Sequence, residues 1–75
     1  MTREIPIRGE TIRLGQLLKL AGVVDSGSEV KVLLSAEAAL VNDEPEVRRG
    51  RQLHGGDRVR LAGHDLRVIA APPPE

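Results

Sequence analysis

Arg48, Arg49 and Arg51 stand around a single glycine in the stretch Glu46-Val47-Arg48-Arg49-Gly50-Arg51-Gln52. A guanidinium is a rigid planar fork that can hold two oxygens of a phosphate or a carboxylate at once. Adjacent residues of a regular strand point to opposite faces, so Arg48 and Arg49 diverge unless the strand breaks. Gly50 is the natural place for a break, which would let two or three of these side chains converge. Two occupants compete for them. One is a row of phosphates; the other is the chain's own Glu44 and Glu46, in surface ion pairs worth about 0–1 kcal/mol each.

Other chemistry is poorly supplied. His54 and His64 each have an aspartate nearby, Asp57 and Asp65, but both lie in or beside glycine turns with no third group at metal-ligand spacing. They read as surface-turn residues. Asp43, Glu44 and Glu46 are interrupted by Pro45 and do not match a calcium loop, so they read as a solvated hairpin tip that discourages strand addition. The chain has no cysteine, which removes thiol nucleophiles, thiolate metal sites and disulfides. Phosphate-loop, dinucleotide-binding and nucleophile-elbow motifs are missing. In 75 residues without one aromatic side chain, an aliphatic core leaves little volume for a substrate cavity. The expectation is a non-enzyme that needs no cofactor and no metal.

Eleven basic and eleven acidic residues cancel, yet the charge is segregated along the chain. Residues 1–24 carry +2, residues 25–46 carry −5, residues 47–60 carry +4 and residues 61–75 carry −1. A neutral chain of this kind can still present a basic face. No apolar run approaches the roughly 18 residues of a membrane span, and the N-terminus lacks the apolar centre of a signal peptide. A cytoplasmic monomer is the expectation.

The elements that must position the arginines follow from periodicity. Glu4-Ile5-Pro6-Ile7-Arg8 reads as an edge strand, since proline cannot donate to a ladder. Leu14, Leu17, Leu18 and Ala21 fall at helical spacing, with Gly22 as the stop. Gly15 inside that stripe costs about 1 kcal/mol relative to alanine, so the helix must lean on tertiary packing. Ser26 and Glu29 form a capping box for a second helix whose inward face is Val30, Leu33 and Leu34. Leu40-Val41 and Glu46-Val47 flank an Asn42-Asp43 turn. Further turns at Gly55-Gly56-Asp57 and Gly63-His64-Asp65 bound the strands around Val59 and Leu66–Val68. The aliphatic core comprises Ile5, Ile7, Ile12, Leu14, Leu17, Leu18, Val30, Leu33, Leu34, Val41, Val47, Leu53, Val59, Leu61, Leu66 and Val68. This is an α+β domain over residues 1–71, two short helices packed on a small, mainly antiparallel twisted sheet, with a flexible Pro-rich tail at 72–75.

The ordered set of pieces resembles a known family. Ile12-Arg13-Leu14-Gly15-Gln16-Leu17-Leu18-Lys19-Leu20-Ala21-Gly22 is similar to the first helix of the S-four (S4) RNA-binding domain, named after a small-subunit ribosomal protein. Ser26-Gly27 with Lys31 resembles the start of its second helix, and Leu40-Val41-Asn42, Arg48-Arg49-Gly50-Arg51-Gln52-Leu53 and Gly56-Asp57-Arg58-Val59 its hairpin and following basic stretch. An Ala62-Gly63-His64 turn before the last strand is similar to the small stand-alone bacterial members. The resemblance spans residues 12 to 70 and implies an alpha-L motif over about 12–53, two helices and a hairpin that present an RNA-binding surface. Carried over by position, it implies RNA contacts from Arg13, Lys19, Ser26, Lys31, Arg48, Arg49 and Arg51. Where the family has glycine this chain has Glu37 and Asp43, and a non-glycine held left-handed costs roughly 1–2 kcal/mol.

A protein without aromatic rings has no stacking platform of the kind used by sequence-tolerant single-strand binders. The expected partner is therefore structured RNA, ribosomal or transfer, read through phosphates and shape. Neutralising about four to six phosphates would give a log–log salt slope of roughly −3 to −5. The alternative is an acidic protein partner or another subunit, favoured if Leu20 or Leu40 faces outward.

Overall fold

A computed structural model describes residues 1–70 of the chain; the expected Pro-rich tail at 72–75 lies outside the described residues. The elements run β1 (Arg3–Pro6), β2 (Thr11–Arg13), α1 (Leu14–Leu20), α2 (Gly27–Ala36), β3 (Ala39–Val41), β4 (Glu44–Glu46), β5 (Gln52–His54), β6 (Arg58–Leu61) and β7 (His64–Ile69). Five strands make one sheet in the order β1-β7-β6-β3-β4, antiparallel except for the parallel pair β1–β7. Strands β2 and β5 form a separate antiparallel pair. The α+β expectation holds, and the parallel pairing and the second small sheet are additions to it.

Leu14, Leu17, Leu18 and Ala21 are all buried, as their spacing requires of a stripe facing the core. The helix α1 stops as expected: Gly22 takes φ +76°, and Val23 N–H donates to the Leu18 carbonyl at 3.0 Å. The capping box of α2 is only half formed. Ser26 Oγ accepts from Glu29 N–H at 3.4 Å, but the Glu29 carboxylate reaches back one residue further, to Asp25 N–H at 3.1 Å. Both edges of the large sheet carry a proline, Pro6 in β1 and Pro45 in β4, which blunts strand addition.

The buried side chains form a single cluster drawn from both helices and the sheet. It adds Ala21, Val24 and Ala39 to the expected members. Val47 leaves it: that side chain is 61% exposed, because the chain has already left β4 and turned outward. Ile12 and Leu33 are half-buried at its margin.

The two positions where glycine was implied behave differently. Glu37 has φ −153°, an extended conformation open to any residue, so nothing is strained there. Its Oε1 accepts from Ala62 N–H at 3.2 Å. Asn42 and Asp43 have φ 51° and 69°, the left-handed pair of a type I′ hairpin turn. Ala62 and Gly63 repeat this geometry between β6 and β7, with alanine held at φ 51°. Alanine is the costly residue at such a site, and asparagine is the favoured one before glycine. Ala62→Asn should therefore raise stability by about 1 kcal/mol, measured as a shift of the urea midpoint at unchanged slope.

Candidate nucleic-acid interface

The loop between β4 and β5 is built onto the start of α1. The first N–H groups of a helix have no partner within it. Here Leu14 N–H donates to the Arg51 carbonyl and Gly15 N–H to the Arg49 carbonyl, both at 2.9 Å. Arg51 N–H closes the loop on the Arg48 carbonyl at 3.2 Å. Gly15 permits this approach: a Cβ there would meet Val30 Cγ1 at 3.3 Å and Arg49 Cβ at 3.4 Å. The glycine that weakens the helix by propensity is the one that seats the basic loop against it.

The three arginines do not converge on one ligand. Glu46 is buried, 7% exposed, and takes two of them. Its Oε2 accepts from Val47 N–H, Arg48 N–H and Arg48 Nε, each at 3.1 Å. Its Oε1 accepts from Arg48 Nη2 at 2.9 Å and Arg51 Nη1 at 3.0 Å. These bonds, with the Arg48 side chain first, then the Arg48 amide and Arg51, hold the carboxyl well below its ordinary 4.5. The expected solvated hairpin tip is thus corrected at Glu46, which faces inward opposite the small Ala39.

Arg49 is left over, and it points elsewhere. It is a shared wall of two neighbouring clefts. The first is lined by Arg13, Gly15, Gln16, Lys19, Gly27, Val30, Arg49 and Gly50. The second is lined by Lys31, Leu34, Ser35, Val47 and Arg49. The structure therefore brings Arg13, Lys19, Lys31 and Arg49 onto one surface, and among the described residues no carboxylate lines either cleft. Among the described residues, none of these four cations is in an ion pair. Ser26 caps α2 next to Gly27 of the first cleft; its hydroxyl also shares a 3.1 Å hydrogen bond with Ser28. Arg48 and Arg51 line neither cleft; both are held by Glu46, with the Arg48 side chain still 73% exposed. Gln16 was not foreseen, although it lies three residues from both Arg13 and Lys19, on their side of α1.

A family model described as the S4 domain matches residues 5–69. The chain belongs to the S4 domain family. Two bacterial relatives agree with the match. A Bacillus subtilis (strain 168) protein named "Probable ribosome maturation protein RlbA" is 52% identical over 63 residues, covering 84% of this chain and 89% of the relative. An Escherichia coli (strain K12) protein named "Putative RNA-binding protein YbcJ" is 32% identical over 59 residues, covering 79% and 84%.

On this S4 domain none of the acids of residues 25–46 lines either cleft of the cation strip. Lys31, Leu34 and Ser35 face the second cleft, whereas Ser28, Glu29, Val32, Leu33 and Ala36 line a separate groove on the other side of α2. Glu37 faces the turn at Ala62, and Asp43 pairs with Arg60 at 2.9 Å. The two histidines do not come together with acids into a site. His54 Nδ1 lies 3.9 Å from Asp57, and among the described residues no cluster of His, Cys, Asp or Glu could hold a metal. No helix among the described residues is long and apolar enough to cross a membrane.

Proposed function

We propose that this S4-domain protein binds structured RNA in the cytoplasm without catalysing a reaction. Arg13, Lys19, Lys31 and Arg49 make the direct phosphate contacts, with Ser26 beside them. Arg48 and Arg51 hold the loop that carries Arg49. The observation behind this reading is the partition of charge: among the described residues the strip cations have no carboxylate partner and no acid stands in the walls around them. Family membership supports RNA as the ligand. Ribosomal RNA comes ahead of transfer RNA because the B. subtilis relative is named for ribosome maturation.

The test is a titration of labelled, folded ribosomal RNA fragments at several salt concentrations. Four direct phosphate contacts give a log–log slope of roughly −3 to −4. A slope near zero, or no binding at low salt, would overturn the reading. An acidic protein partner is the second reading, and one observation favours it: Leu20 is 56% exposed, whereas Leu40 is half-buried. An acidic partner would be captured by the same cations but would lose affinity on Leu20→Ser even when RNA binding did not occur.

A further inference from the structure

A third cleft adjoins the cation strip on the side away from Lys31. It is lined by Pro6, Ile7, Arg8, Thr11, Ile12, Gln16, Lys19 and Leu20, and it shares Gln16 and Lys19 with the first cleft. Among the described residues no carboxylate lines it. Carboxylates do line two other clefts, Glu29 in one and Glu37 and Asp65 in the other. Arg8, like the strip cations, has no ion pair among the described residues. The three acid-free clefts thus form one track whose shared walls are Arg49 at one junction and Gln16 with Lys19 at the other.

The chemistry of this third cleft differs from that of its neighbours. Its floor is aliphatic, with Ile7 buried, Ile12 half-buried and Leu20 more than half exposed. Arg8 and Lys19 are its cations, and the Thr11 hydroxyl and the Gln16 amide NH2 are neutral hydrogen-bonding groups suited to a base edge, the Gln16 Oε1 being taken by Arg13 N–H at 3.3 Å. A phosphate needs no apolar floor. An unstacked base does, because its faces are apolar and its edge is polar, and an arginine plane can stack on it where no aromatic ring is present.

We propose that this cleft receives a single unpaired nucleotide next to the paired RNA held by the strip, with its base between Leu20 and the Arg8 guanidinium and its phosphate near Lys19. The inference rests on the RNA-binding reading above and adds a preference that phosphate contacts alone do not give. It makes the protein a reader of duplex RNA with a bulge and turns Arg8, Thr11 and Leu20 into discriminating residues.

The probe is a blunt two-stranded RNA duplex of about 16 base pairs, fully paired or with one bulged nucleotide, followed by fluorescence anisotropy. The intact protein should bind the bulged duplex about fivefold or more tightly than the paired one. Arg8→Ala and Leu20→Ser, both at exposed positions, should bring the two affinities together while binding to the paired duplex changes less. Equal affinity of the intact protein for both duplexes would overturn the inference and leave the RNA-binding reading standing. A preference that survives both substitutions would overturn it as well. No binding to either duplex at low salt would remove both proposals.

Discussion

Arg49→Ala should weaken binding of structured RNA by about tenfold and make the salt slope shallower by about one, with little change in thermal stability. The side chain of Arg49 makes no ion pair among the described residues, so no folded-state electrostatic contact is lost. Its structural duty belongs to the backbone carbonyl that receives Gly15 N–H, and alanine keeps that carbonyl and the Cβ packed near Gly15. Arg49 is a wall of both clefts, so on the proposed reading it would join phosphates reached from α1 to those reached from α2. Arg48→Ala and Arg51→Ala should show the opposite division: a lower melting temperature and, at equal folded fraction, a nearly unchanged slope. If Arg48→Ala reduced the slope as much as Arg49→Ala, direct contacts would have to be shared among the arginines and the division proposed here would fall.

That division was not visible in the residue order, although much else was. The α1 stripe, the Gly22 stop and the Asn42-Asp43 turn could be read because each is a local pattern with a local cause. The pairing of Thr11–Arg13 with Gln52–His54 could not, since three residues carry no usable period and the partner strand lies far along the chain. The parallel pairing of β1 with β7 joins nearly the two ends of the described chain and leaves no trace in either segment alone. Glu46 is instructive because a signal existed. Once the turn is placed at Asn42-Asp43, antiparallel pairing sets Glu46 opposite Ala39, a small residue that is fully buried. A carboxylate forced inward there needs cations, and Arg48 and Arg51 are the nearest. The same step would have released Arg49 as the one arginine of the three free to face a ligand.

Glu46→Gln should lower stability by about 2 kcal/mol, which in a domain of this size is a fall in melting temperature of about 8–16 °C. The amide keeps the shape but loses the charge, and its NH2 would face guanidinium or backbone donors where one carboxylate oxygen now accepts. Only the Glu46 end of this network is buried, and without its second charged oxygen the Val47 and Arg48 amides and the half-buried Arg51 guanidinium lose acceptors they now share. The pH dependence separates this from a simple packing defect. Folded Glu46 ionises well below its ordinary 4.5, so the unfolded chain takes up its proton first as the pH falls. The contribution of Glu46 is therefore complete above about pH 4.5 and drains away below it. Asp65 acts in the same direction over a lower window, its hydrogen bonds from Arg58 first and Thr2 next bringing it from 3.8 to about 2. Melting temperature followed from pH 7 down to pH 3 should be flat and then fall steeply for the intact protein. It should start lower and fall much less for Glu46→Gln, with the remaining acid sensitivity concentrated below about pH 4. An equally steep fall in both would mean that Glu46 does not hold its charge against Arg48 and Arg51. The loop that presents Arg49 would then need another anchor.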